Sequence, residues 1–228
     1  GEELLTETFG HIVRAELGAG AVFSGITTRT WEGDHGILKA DDALAIARPD
    51  SGHYLVSTTA IAVENTHNFG GGTVQPIAEI ARLSTAARDR GIAMHLDGAR
   101  IWNAHVASGT PFAEFGKHFD TISVCLSKGL GAPVGSISLS SKARIAEARI
   151  WRKRYGAGMR QIGLLAAAGH YALDHNIERL AEDHARAKKM ALALAAHDAS
   201  LIDPTKVETN IVGLELSQAG ISAADFAA

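Results

Sequence analysis

The side chains best suited to chemistry follow two apolar stretches of the sequence. Asp97 and Arg100 come after residues 92–96, and Lys128 comes after residues 121–126; both stretches are predicted as buried strands. Glycine and alanine dominate the residues that follow Lys128. In open sheets of parallel strands, ligands bind outside the carboxyl ends of the strands. A carboxylate, a guanidinium and an amine are therefore predicted at one edge of a sheet.

This set of groups fits the chemistry of pyridoxal 5'-phosphate (PLP). A lysine amine holds the aldehyde of PLP as a Schiff base, and an acidic side chain keeps its ring nitrogen protonated so that the ring accepts electrons. Each motif alone is explained more simply by a surface lysine in a glycine-rich turn or by an aspartate that caps a turn. Both motifs together, each at the end of a predicted strand, favour PLP. We therefore predict that Lys128 attaches the cofactor and that Asp97 pairs with its ring nitrogen.

Four longer segments carry a resemblance to a known family. They are V-E-N-T-H-N at residues 63–68, H-L-D-G-A-R-I-W-N-A at 95–104, C-L-S-K-G-L-G-A-P-V-G-S at 125–136 and W-R-K-R-Y-G-A-G-M-R-Q at 151–161. With these segments in order, essentially the whole chain resembles the low-specificity L-threonine aldolases. Those are PLP enzymes of the aspartate-aminotransferase fold type (fold type I) in the β-eliminating lyase family. The resemblance implies cleavage of L-threonine or L-allo-threonine to glycine and acetaldehyde.

The resemblance also implies roles for individual residues. His11 matches an imidazole that lies parallel to the PLP ring, and Arg100 matches a residue that binds the substrate carboxylate. His67 matches a histidine close to the substrate hydroxyl, and either histidine could take the hydroxyl proton. Lys153 and Arg160 match basic residues that reach the cofactor phosphate of a neighbouring subunit. A homo-oligomer with shared active sites, a tetramer built as a dimer of dimers, is therefore expected.

Other interpretations remain open at this point. Arg100 could form a structural ion pair with Asp97, and the basic residues around position 153 could be a solvated helix end. The chain could be another PLP enzyme of the same fold, such as a β-eliminating lyase, an aminotransferase or a decarboxylase, or a non-catalytic relative that binds a nucleotide. No metal is predicted to be required, because the sequence has neither H-E-x-x-H nor paired C-x-x-C.

The chain departs from the family in two respects. It has no equivalent of the Gly-Thr-Gln turn that holds the cofactor phosphate, since the glycine-rich stretch 69–73 lies at a different place in the chain. A second arginine that binds the substrate carboxylate, in the family's C-terminal domain, also has no counterpart. The first residue is not methionine, and the last residues are typical of a helix just begun. We therefore expect a fragment of a longer enzyme.

Composition excludes several other classes of protein. The chain has 228 residues, 46% of them hydrophobic, and a net charge of −3 with scattered basic residues, so neither a nucleic-acid partner nor a membrane partner is predicted. The single cysteine, Cys125, excludes an intramolecular disulfide and is predicted to pack in the core. A cytoplasmic location is expected. Residues 1–200 are predicted as the large PLP-binding domain without its N-terminal part, and 201–228 as the truncated start of a small α+β domain.

The pattern of elements predicts an α/β fold with a mostly parallel sheet flanked by helices. Strands are expected at residues 21–24, 55–63, 92–96, 121–126, 135–140 and 207–216. Helices are expected at residues 11–16, 41–47, 76–90, 110–116, 141–154, 159–175 and 177–197.

Overall fold

The fold is built on one six-stranded sheet, seen in a computed structural model that describes residues 1–228. The strand order is β2-β1-β3-β4-β5-β6. All neighbouring pairs are parallel except β5 and β6, which are antiparallel. The strands are β1 (Glu2–Glu7), β2 (Ile26–Trp31), β3 (Thr58–Glu64), β4 (Ala93–Gly98), β5 (Thr121–Cys125) and β6 (Ser136–Ser140).

Ten α-helices surround or extend this sheet. They are α1 (His11–Arg14), α2 (Ala19–Ser24), α3 (Ala40–Ile46), α4 (Ile77–Asp89), α5 (Ile101–Ser108), α6 (Phe112–Gly116), α7 (Lys142–Arg154), α8 (Gly163–His175), α9 (Leu180–His197) and α10 (Ala223–Ala227). None of them is both long and apolar enough to cross a membrane.

The main hydrophobic core joins the sheet to α3, α4, α5 and α6. On α4, Ile80, Leu83 and Ala87 repeat at helical spacing and are fully buried, which explains why this stretch forms a helix against β4. A second cluster forms around Leu126 and Leu130, next to α8 and α9. These two clusters fix the backbone on both sides of the predicted site.

The two faces of the sheet differ in their chemistry. Met94 and Leu96 of β4 point into the main core, whereas His95 and Asp97 lie on the opposite face, because successive side chains on a strand alternate. Asp97 is paired with Ser123 of β5, so the same polar face continues onto the next strand. This face carries the candidate site.

Two predicted strands are absent. Residues 21–24 belong to helix α2, which lies between Gly18 and Gly25, both with positive φ, and the neighbouring strand is β2 instead. Residues 207–216 form no strand and pair with no strand of the sheet. Val207 packs with Ile202 against α9 instead. Strands β1 and β2 were not predicted. The proposed boundary between domains at residue 200 remains a prediction.

Candidate active site

A cleft of about 480 Å³ opens on the polar face of the sheet, at the carboxyl ends of β4 and β5. It brings together three predicted site residues, His11, Asp97 and Lys128, which come from three separate parts of the chain. One wall is formed by α1, α2 and the segment between them. The other lining residues that matter below are Glu16, Phe23, His95, Ser123 and Cys125.

Lys128 is held in the cleft by a compact loop after β5. The backbone N–H of Gly131 donates to the Lys128 carbonyl oxygen at 2.9 Å, and Gly131 has a φ of +73°, which favours glycine. A Cβ on Gly129 would lie 2.8 Å from Leu180, so only glycine fits there without a shift of that side chain. With Leu126 and Leu130 buried on either side, the loop fixes where the lysine side chain begins.

Asp97 lies within β4 rather than after it. One carboxylate oxygen, Oδ1, accepts a hydrogen bond from the Ala99 N–H at 3.1 Å. His95 is its neighbour on the same face, with Nδ1 2.8 Å from the Thr121 hydroxyl. Burial lowers the pKa of His95 below its ordinary value, and the Asp97 carboxylate opposes this shift only in part. His95 is therefore neutral at physiological pH, so Asp97 has no cationic partner on β4.

His11 begins helix α1 and faces the cleft from the opposite wall. Its Nδ1 lies 2.8 Å from Glu16 Oε1, while its Nε2 has no partner within the chain. If Nδ1 carries the proton that binds Glu16, Nε2 is an acceptor. His11 can therefore take a proton at Nε2 from a molecule in the cleft.

His67 lies elsewhere. It is only 1% exposed, and both ring nitrogens are already used: Nδ1 accepts from the Gly70 N–H at 3.0 Å, and Nε2 donates to Glu7 Oε2 at 2.9 Å. It does not line the cleft. The structure therefore does not bring His67 together with the other predicted site residues, and its contact with a substrate hydroxyl stays a prediction. The glycine-rich stretch after His67 serves to hold this ring.

Glu7 is the carboxylate that fixes His67. Its burial acts to raise its pKa, but hydrogen bonds from the His67 ring and from the N–H groups of Gly33 and Phe9 outweigh this effect. The net pKa of Glu7 is therefore below its ordinary value, and the side chain is charged at neutral pH. Neither Glu7 nor its contacts were predicted, although Glu7 ends β1 and Asp97 likewise lies near the end of β4.

We expect the stability contributed by Glu7 to disappear in acid. Because its pKa is lower in the folded protein than in the unfolded chain, the contribution is complete above the unfolded value of about 4.3 and is lost as the pH falls through the folded value. The difference in Tm between wild type and Glu7→Gln, measured by circular dichroism, should shrink as the pH falls from about 5 to about 3. Glu2→Gln, on the same strand but exposed, is the control. A difference that stays constant with pH would contradict this.

Arg100 follows β4 at the start of α5, where it is half-buried. It forms no ion pair with Asp97, so the structural alternative for this residue is not found. It is also not among the residues that line the cleft. Lys153 and Arg160 are exposed and lie outside the cleft as well. Cys125, predicted to be a core residue, ends β5 and lines the cleft.

The structure contains no group of three or more His, Cys, Asp or Glu side chains placed to hold a metal ion. Among the cleft residues, His95 and Asp97 share one strand face, as their spacing requires.

Known proteins resemble this chain in sequence. The sequence matches the beta-eliminating lyase family over residues 1–217. The low specificity L-threonine aldolase of Escherichia coli K12 is 38% identical over 224 residues, which are 98% of this chain and 65% of that relative. The chain thus spans less than two thirds of the length of that curated relative.

Solved structures share the fold. A Listeria monocytogenes protein described as an L-allo-threonine aldolase superposes with a TM-score of 0.78 at 23% identity, covering 91% of this chain and 56% of that one. A Thermus thermophilus aspartate aminotransferase mutant gives 0.72 at 15% identity, covering 95% and 56%. These likenesses confirm the predicted fold class, a mostly parallel sheet of the aspartate-aminotransferase type. With a family match that extends over nearly all of its residues, this chain belongs to the beta-eliminating lyase family.

Proposed function

We propose that this protein is a PLP-dependent lyase that cleaves the Cα–Cβ bond of L-threonine and L-allo-threonine, giving glycine and acetaldehyde. The observation that carries the proposal is the meeting of Lys128, Asp97 and His11 in one cleft at the ends of parallel strands. The threonine aldolase of Escherichia coli, 38% identical, supports the choice of reaction.

The residues of the cleft fit PLP in size and in chemistry. The volume of about 480 Å³ is within the range of about 300–1,000 Å³ typical of small-molecule sites. Lys128 has no ion-pair partner in the chain, so its amine is available to hold an aldehyde. Asp97 accepts one hydrogen bond, from Ala99, and keeps lone pairs for a protonated ring nitrogen. When bound, PLP supplies an electron sink for the pair of electrons released at Cα.

The protein side chains then have separate tasks. Lys128 would hold the cofactor covalently, and Asp97 would keep its ring nitrogen protonated through a charge-assisted hydrogen bond. His11 is the better placed base, because it lines the cleft and its Nε2 has no partner in the chain, whereas both nitrogens of His67 are occupied. Its Nε2 would take the β-hydroxyl proton, directly or through a water molecule. Arg100 is proposed to bind the substrate carboxylate, as the resemblance implies.

The products test the reaction directly. We expect the protein with PLP to convert L-threonine and L-allo-threonine into equal amounts of glycine and acetaldehyde, measured by amino-acid analysis and an aldehyde-coupled assay. The family description supports a second candidate, β-elimination, which would release ammonia and a keto acid instead. Formation of keto acid and ammonia without glycine would replace the first proposal by the second.

We also propose a homo-oligomer with shared active sites, a tetramer arranged as a dimer of dimers. Lys128 is the only lysine or arginine that lines the cleft, so the cofactor phosphate needs cations from outside that lining. Lys153 and Arg160 are exposed and available to a neighbouring copy. Helix α7 supports an interface, since it has no buried residue yet carries Ile150 and Trp151 on its surface.

Mixing two inactive variants tests the shared sites. If Arg160 serves a neighbouring copy, Lys128→Ala and Arg160→Ala subunits should complement each other, because each mixed dimer contains one site with both residues intact. Up to about a quarter of wild-type turnover is expected after reassociation of equal amounts, since about half of the dimers are mixed and each mixed dimer has one of its two sites intact. Light scattering gives the oligomer size. No recovery in mixed oligomers would exclude sharing through Arg160.

A further inference from the structure

Glu64, at the end of β3, carries a buried carboxylate whose contacts point to a role in the cleft. Its Oε2 accepts the backbone N–H of His11 at 2.6 Å, and its Oε1 accepts the backbone N–H of Asn68 at 2.7 Å. The residue is 7% exposed and has no cationic partner. A buried carboxylate is costly unless it is well hydrogen-bonded, so both backbone contacts are needed to keep it there.

The helix that carries His11 has little else to fix it. Helix α1 is a single turn with no buried residue, and its N-cap residue, Gly10, makes no side-chain capping bond. Short isolated helices are unstable in water and depend on tertiary contacts. The bond from His11 N–H to Glu64 satisfies a free N–H at the helix start and links α1 directly to β3. Glu64 therefore acts as the missing cap, supplied from another part of the chain.

The position of Glu64 in the sheet explains how its hydrogen bond to His11 affects the cleft. Glu64 is paired with Asp97 on the neighbouring strand β4, so both carboxylates leave the same face of the sheet at the same level. Asp97 lines the floor of the cleft, while Glu64 holds the start of the wall that carries His11. The carboxyl end of β3, where Glu64 lies, thus sets the position of His11 relative to Asp97.

We propose that Glu64 is a positioning residue that fixes the His11 ring in the cleft, opposite Asp97. The second oxygen places the loop that begins at Asn65 against the same strand end. The importance of this for the reaction rests on the proposed function, since it assumes that His11 works on a ligand in that cleft. The structural part, that Glu64 fixes His11, stands without any cofactor.

Glu64→Gln is the sharpest change, and Glu3→Gln is its matched control. A glutamine keeps the size but turns one acceptor into an NH2 donor, which faces one of the two backbone N–H groups. Glu3 is also 7% exposed, but it binds Arg29 and Thr58 at the opposite end of the sheet. Both variants lose a buried carboxylate and both should lower Tm. Only Glu64→Gln should affect His11.

The first measurement uses the protein without cofactor. The ring signals of His11 in the NMR spectrum are assigned by their loss in His11→Ala. We expect them to shift and broaden in Glu64→Gln and to remain unchanged in Glu3→Gln. If Glu64→Gln does not fold, Glu64→Asp serves instead, since it keeps the charge but loses reach, and it should also move the His11 signals. His11 signals that coincide with those of wild type in a folded Glu64 variant would overturn the proposal.

The second measurement is a double-mutant cycle on PLP affinity, followed by cofactor fluorescence. Glu64→Gln should weaken binding by roughly tenfold in the wild-type background and by less than about twofold when His11 is already alanine. Equal losses in both backgrounds would show that Glu64 acts through the fold rather than through His11, which also overturns the proposal. If wild type itself binds no PLP, the proposed function fails, while the NMR result still decides the role of Glu64.

Discussion

We expect Lys128→Ala to lose the covalent attachment of PLP completely and to lose turnover by at least about 10³-fold. Lys128 is the only amine that lines the cleft, and its loop is closed by its own backbone bonds, so alanine removes the amine without disturbing the fold. Borohydride reduction followed by peptide mass mapping measures the attachment. Wild type should give one adduct, at Lys128, and the variant none.

Lys39→Ala is the matched control for this change, because Lys39 is an exposed lysine outside the cleft. It should keep both the adduct and the activity. An adduct at a different lysine in wild type would show that Lys128 is not the residue that attaches the cofactor. No adduct in a folded wild-type protein with excess PLP would mean that the cofactor does not bind covalently in this cleft.

Asp97→Asn has the second largest expected effect, a loss of turnover of about 10²-fold with the fold preserved. Asparagine has the same shape and its oxygen can still accept the Ala99 N–H, so the turn after β4 survives. It cannot stabilise a protonated ring nitrogen by charge, because the carboxylate is gone. Steady-state kinetics and the absorbance spectrum of the bound cofactor should both change, while Tm remains close to that of wild type.

Substitution of a second aspartate beside β4, Asp120, is the control that distinguishes this effect from the loss of a carboxylate charge elsewhere. Asp120 binds the Met94 N–H and Arg144 away from the cleft, and hydrogen bonds from these partners keep its pKa below the ordinary value despite partial burial. Asp120→Asn should therefore cost stability and leave the cofactor spectrum unchanged. If Asp97→Asn had wild-type turnover and spectrum, Asp97 would not be the partner of the ring nitrogen.

The sequence pattern predicted an element correctly where the apolar residues of that segment by themselves determine that it is buried. The apolar runs before Asp97 and Lys128 predicted β4 and β5, and their parallel arrangement places both carboxyl ends at one edge of the sheet. The helical spacing of Ile77, Ile80 and Ala87 predicted α4 in the same way. The predictions for short or weakly apolar segments were wrong. Residues 21–24 fit a strand or a helix equally well, since three apolar residues and a serine are too few to define a period.

The sequence by itself therefore determined the fold class, strands β3 to β6 and the residue types capable of PLP chemistry, because these follow from periodicity and from motifs within short segments. Only the tertiary structure decided which of those residues meet. Glu7 binds His67, which is 60 residues away in the sequence, and Glu64 caps the helix of His11, which is 53 residues away. A polar residue at a strand end looks solvated in the sequence; whether it is buried, and against which backbone N–H, depends on partners brought together only by folding.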